Sequence, residues 1–352
     1  MYDNMKEIIH TDKGSFYNYL TEGCKLCQKG AKMVLFITGI CGRGCFYCPL
    51  SEERKKDVTY ANERLVKSDE DVINEVLQMD GLGTGITGGE PLIRSELVLH
   101  YIKLLKEQFG KEHHIHLYTS IAPDRNLLKD LSEAGLDEIR FHPPQHLWKK
   151  LKGSEFERAI EDSIELGMEA GMEIPSIEGA SDVRDVVIGT GCFLNLNELE
   201  FADTNAIAMK ERNFLLKNDM SNAVEGSEEY AIELADKVPK IHFCSSRYKD
   251  AGQLRERLLR IARKTARQID EITEEGTIVY GSIEGADTEG IIEVLHQFEL
   301  SDDLFEVKDK TIELPWWLIE DMAEELKDEG FVPSIIERYP FENGLVVEVI
   351  PL

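Results

Sequence analysis

No run in this 352-residue chain approaches the roughly 18 consecutive apolar residues of a membrane span. The opening stretch Met1-Tyr-Asp-Asn-Met-Lys-Glu also lacks the apolar centre of an export signal. A cytoplasmic protein without membrane association is the expectation. Basic charge is scarce as well: lysine and arginine total 40 against 67 aspartates and glutamates, for a net charge of −27. Such a field repels phosphate backbones and disfavours nucleic acid as a partner. Basic residues do gather between Arg247 and Arg267, and their plain reading is a solvated helix face balanced by nearby acids. With no sign of export, the seven cysteines read as metal ligands or free thiols rather than crosslinks.

What the chain does have is a thiol-rich loop. Cys41-Gly-Arg-Gly-Cys45-Phe-Tyr-Cys48 follows the apolar segment Met33-Val-Leu-Phe-Ile-Thr38, placing a CxxxCxxC loop after a buried strand. Three thiolates within eight residues can hold three irons of a [4Fe–4S] cubane and leave the fourth open to a reacting ligand. Gly42 and Gly44 let the backbone turn tightly around such a core, and Phe46-Tyr47 can shield it or touch a bound cofactor. A structural zinc site prefers paired CxxC units and four ligands, whereas this loop offers three thiols. Further on, Gly85-Ile-Thr-Gly88-Gly89-Glu90-Pro91 follows a second short apolar stretch.

Together the CxxxCxxC loop and the Gly88-Gly89-Glu90 motif, in this order and spacing, resemble the radical S-adenosylmethionine (SAM) enzymes. The layout is similar to an archaeal group related to pyruvate formate-lyase activating enzymes. The resemblance covers roughly residues 30–245. It implies that Cys41, Cys45 and Cys48 carry a [4Fe–4S] cluster and that Gly88, Gly89 and Glu90 hold the SAM amino group. It further implies that SAM is cleaved reductively to a 5′-deoxyadenosyl radical, which abstracts hydrogen from an unidentified substrate. A one-electron donor of ferredoxin or flavodoxin type and a reducing, anaerobic cytoplasm follow. Thr119 and Ser120, closing a strand, are placed for a ribose hydroxyl, and Tyr47 for cofactor contact. Arg140 reads either as the partner of the SAM carboxylate or as a structural ion pair. The segment around Ile177 resembles the superfamily's adenine-contacting backbone.

Apolar runs and amphipathic stretches alternate as in parallel α/β folds. The pattern predicts strands at Gly83–Thr87, His114–Thr119, Asp137–His142, Glu173–Ile177 and Phe193–Phe201, with helices at Asp69–Gln78, Ser95–Gln108, Asp124–Ala134 and Ser154–Ala170. Six β/α units agree with the fold that the resemblance implies, a partial (β/α)6 TIM-like barrel. The expected organisation is an N-terminal extension carrying a CxxC over residues 1–30, the barrel over 31–245, and a C-terminal α+β module over 246–352.

Other groups stay open at this level. Cys24 and Cys27 form a CxxC pair and Cys244 ends the apolar segment Ile241-His-Phe-Cys, so the three could bind a second [4Fe–4S] cluster or a zinc, with His242 as a fourth donor. Taken alone, Cys244 also fits an inert buried thiol, as does Cys192. One of Asn197 or Glu198 should face the barrel cavity, meeting a substrate or a hydrogen-bonded rim. His142 is a candidate substrate contact. The activity alternatives are activation of a glycyl-radical enzyme, modification of a peptide, cofactor or RNA, methyl transfer, and a non-catalytic Fe–S or zinc interaction protein.

Overall fold

A computed structural model describes residues 7–341 and 344–352. The chain divides into two compact units, one running through Leu77 and from Gly81 to Leu254, the other combining Gln78–Asp80 with Arg255–Leu352. The units divide after Leu254, and the described residues before 31 group with the first unit.

The first unit is built on seven parallel strands: β1 (Lys32–Phe36), β2 (Gly83–Thr87), β3 (His114–Thr119), β4 (Glu138–Phe141), β5 (Glu169–Ser176), β6 (Phe193–Glu198) and β7 (Ile241–Cys244). They lie side by side in chain order, and every neighbouring pair is parallel. This mixed α/β unit with a large parallel sheet fits a radical-SAM-type partial barrel. The parallel run contains one strand more than six, because the short segment Ile241–Cys244 pairs in register with β6. Antiparallel hairpins extend both edges, Tyr60–Ala61 with Arg64–Leu65 beside β1, and Ile9–His10 with Phe16–Tyr17 beside β7.

Strand alternation explains the layering. Met33, Leu35, Ile115, Leu117, Ile139 and Phe141 are fully buried and share one face with Met172, Ile174, Leu194 and Leu196. Helices α2 (Asp69–Gln78), α3 (Ser95–Phe109), α4 (Arg125–Ala134) and α5 (Glu155–Glu165) bury Val72, Ile102, Leu128 and Ile160 in the same core. Each fully buried aliphatic side chain of this kind is worth about 1.5–3 kcal/mol. The helix starts are capped in the usual way: Asp124 accepts from Leu127 N and Ser154 from Glu157 N.

The predicted helix over Ser154–Ala170 stops early, at Glu165. Gly167 takes a left-handed φ of +88°, which breaks the helix, and the chain re-enters the sheet at Glu169. The opposite face of the sheet is polar. There α1 (Glu22–Gln28) packs against β1, β2 and β3. Gly23 lets it approach closely, since a Cβ there would come within 2.6–2.8 Å of the Glu138, Arg140 and His116 side-chain ends.

The second unit is a six-stranded antiparallel sheet with helices. Its central strand β8 (Ile278–Glu284) lies between β10 (Thr311–Leu314) and β11 (Val332–Arg338). Strand β9 (Glu306–Lys308) and β12 (Val346–Pro351) flank these. Ile283, Ile291, Leu295, Ile312, Leu314 and Leu326 form its core. The Arg267 guanidinium is held by Asp270, Glu306 and Glu313, which agrees with a balanced face for that part of the basic cluster. No helix among the described residues is long and apolar enough to cross a membrane.

Candidate active site at the cysteine loop

Strand β1 delivers the chain into the cysteine loop, and the loop after β2 holds its stem. Gly89 N donates to Thr38 O at 2.7 Å, and Glu90 N to Ile40 O at 2.9 Å. A Cβ at Gly89 would stand 2.6 Å from the Ile40 carbonyl oxygen and 2.7 Å from that of Gly39, so only glycine lets the two loops close. Beyond this stem Cys41 is exposed, while Cys45 and Cys48 are half-buried. A Cβ built at Gly42 or Gly44 meets nothing within 4 Å. A cavity of about 260 Å³ is lined by residues 42–47 together with Pro144, Gln145 and His146.

An exposed Cys41, half-buried Cys45 and Cys48, and a cavity lined in part by Cys45 suit a bulky inorganic core with one face left for a second ligand. The donor set therefore fits a [4Fe–4S] cluster held by Cys41, Cys45 and Cys48.

The rim is fixed by side chains from several strand ends. Glu90 is saturated: its carboxylate accepts from Leu92 N (3.0 Å), Thr119 Oγ1 (2.9 Å), Ser120 N (2.6 Å) and Ser120 Oγ (2.7 Å). The hydroxyls of Thr119 and Ser120 thus clamp Glu90 instead of standing open to a ribose. Arg43, inside the cysteine loop, donates to Ser120 O at 2.9 Å. Tyr47 reaches the other way, its hydroxyl 2.9 Å from His142 Nε2.

His142 Nδ1 lies 2.8 Å from the Glu173 carbonyl, which can only accept. Nδ1 therefore carries the proton and Nε2 accepts from Tyr47. Burial lowers the His142 pKa and so keeps this neutral tautomer. Asn205 Nδ2 donates to Tyr47 O at 3.1 Å, and Thr204 Oγ1 to Cys48 O at 3.4 Å. Phe46 stacks on Phe214 with ring centroids 5.6 Å apart. Ile177, just after β5, is buried.

Residues 35–174 match the model of the Radical SAM superfamily. A Methanocaldococcus jannaschii protein, provisionally named a glycyl-radical enzyme activating enzyme, is 39% identical over 353 residues, covering 96% of this chain and 94% of the relative. The chain belongs to the radical SAM superfamily. It is an enzyme related to the activating enzymes of that superfamily, which sets aside the non-catalytic reading. Residues 276–352 match a domain of unknown function, DUF8061.

Inside the sheet of this radical SAM enzyme, Arg140 is committed elsewhere. It is buried, paired with Glu138 and with Glu173 at 2.7 Å, and donates to Tyr118 Oη (2.9 Å) and Thr21 Oγ1 (3.2 Å). Of its two readings, the structure displays the ion pair, with no free guanidinium for a SAM carboxylate. Asn195 and Asn197 donate to Glu173 at 3.0 and 2.8 Å, so Asn197 is the inward residue of its pair. Glu198 turns away and accepts from Ser246 N at 2.8 Å.

Cys24 and Cys244 are buried on this polar side, and burial pushes their thiols up to about 11 and about 12. Cys24 and Cys27 both contribute negative charge at Cys244, which places the three thiols in one neighbourhood. Burial likewise lowers His242 to about 4.

Arg43, His142 as the partner of Tyr47, and Asn205 are the residues fixing the cysteine loop that sequence reasoning missed in these roles. Arg43 sits within the motif and could have been found as the one charged spacer in the loop. Nothing in the sequence links Asn205 to Tyr47, 158 positions away.

Proposed function

We propose that this enzyme cleaves SAM reductively and uses the radical to abstract hydrogen from a substrate presented at the carboxyl ends of the parallel strands, where the cysteine loop lies. The observation carrying this reading is the exposed three-cysteine loop, welded to the Gly88–Glu90 loop and opening beside a cavity. Cys41, Cys45 and Cys48 would hold the [4Fe–4S] cluster, which would supply the electron for reductive cleavage of SAM to methionine and a 5′-deoxyadenosyl radical.

The chain's own residues do the positioning. Gly88 and Gly89 bring backbone close to the SAM amino group, and Glu90, fixed by Thr119 and Ser120, holds negative charge beside it. Tyr47 and Ile177 line the cofactor's flanks, and the Tyr47–His142 bond sets the loop's orientation. The barrel is read as a partial (β/α)6 barrel with β7 appended, followed by a C-terminal α+β module beginning near residue 255. The electron donor is a ferredoxin- or flavodoxin-like protein.

The name of the M. jannaschii relative supports a finer reading, in which the hydrogen comes from a glycine of a partner enzyme. Anaerobic reconstitution with iron and sulfide, then incubation with SAM and dithionite, tests the core claim. Formation of 5′-deoxyadenosine, lost in Cys45→Ala, is expected; undiminished product from Cys45→Ala would remove the assignment.

A further inference from the structure

We propose that Cys24, Cys27 and Cys244 hold a second iron–sulfur centre, between α1 and the β6–β7 side of the parallel sheet. The thiols are brought together by three features. Cys24 and Cys27 are three residues apart on α1 and share a helix face. The Cys24 sulfur lies 3.4 Å from Asn195 Nδ2, and Asn195 is the register partner of His242. Cys244 follows two residues later on the same face of β7.

The surroundings suit thiolates. An inert buried cysteine packs as a small apolar group, yet here N–H donors point at the sulfurs. Asn195 and, at 3.5 Å, Arg140 Nη2 donate to Cys24, and Gln253 Nε2 lies 3.7 Å from Cys244. Donors of this kind tune and stabilise metal-bound sulfur. His242 is 3% exposed, and neither of its ring nitrogens has a hydrogen-bond partner among the described residues. A buried imidazole without partners is costly unless something else is bound there, and it offers a fourth donor.

Spacing argues against a single zinc ion. One zinc ion, with Zn–S bonds of about 2.3 Å, draws its sulfurs to about 3.8 Å from one another. Among the described residues, Cys24, Cys27 and Cys244 do not converge within 4.8 Å, and neither do Cys41, Cys45 and Cys48, whose loop fits the superfamily's cubane. Wider separation suits thiolates that each bind a different iron. In the group that does converge, His114, His116 and Glu138, two of the three members are already met by fixed cations. Lys32 Nζ lies 2.9 Å from His114 Nδ1, and Arg140 pairs with Glu138.

The test is metal analysis of the full chain, purified and reconstituted anaerobically with ferrous iron and sulfide. A Cys41→Ala/Cys45→Ala/Cys48→Ala variant should keep about half of the wild-type iron and labile sulfide and show a reducible cluster by electron paramagnetic resonance. Adding Cys24→Ala and Cys27→Ala to it should remove both. Should that combined variant fail to fold, Cys244→Ala in the loop-variant background serves in its place. A folded loop variant that carries no iron, or carries zinc alone, overturns the proposal. Because the loop ligands are absent from that variant, this outcome is independent of whether SAM is cleaved.

Discussion

Tyr47 joins two parts of the molecule that the sequence separates by 95 positions, since its hydroxyl donates to the half-buried His142. Replacing it by phenylalanine removes one bond and leaves a buried imidazole nitrogen unsatisfied. Tyr47→Phe should lower the unfolding free energy by about 1–3 kcal/mol in urea titrations at pH 7. Wild-type stability should also fall on acidification. His142 and His113 both have pKa values lowered by burial, His113 to about 4, while the unfolded chain titrates near pH 6.5. Between those values the unfolded state binds more protons, so stability is present above about pH 6.5 and is lost as the pH drops toward 4. At this scale the cysteine loop was legible because its three thiols are close in sequence. Arg140 was legible only as a pair of alternatives: Glu138 shares its strand face, but Glu173 lies on the neighbouring strand, and only the register decides that it meets Arg140.

The junction between the β1 and β2 loops is the element on which the site stands. Gly89→Ala places a methyl group against the Ile40 and Gly39 carbonyls, and those backbone atoms can yield only by moving the stem of the cysteine loop. The expected result is a folded protein, by far-ultraviolet circular dichroism, that takes up markedly less iron on Cys41, Cys45 and Cys48. Normal iron uptake by Gly89→Ala would show that the junction does not position the loop. Strands with strong apolar runs, such as His114–Thr119, were readable to the residue. Helix ends were harder. The stop at Glu165 depends on Gly167, whose left-handed conformation competes with a helical pattern that formally continues to Ala170. The short Ile241–Cys244 segment could not declare its sheet, because four residues carry too little periodicity to reveal a neighbour 47 positions earlier.

For the whole molecule, the parallel-sheet unit contains every cysteine and both superfamily motifs, and the antiparallel unit from Arg255 onward contains none of them. Fold class was legible in the order of motifs and apolar runs, whereas substrate identity is not encoded in any local pattern. The proposed function rests on a cubane bound by three thiolates with one iron free for SAM. Electron paramagnetic resonance of the reduced, reconstituted enzyme before and after SAM addition tests this most directly, in the Cys24→Ala/Cys27→Ala background so that a single cluster is observed. A signal whose g-values change on SAM addition is predicted. A cluster signal identical with and without saturating SAM would contradict the account.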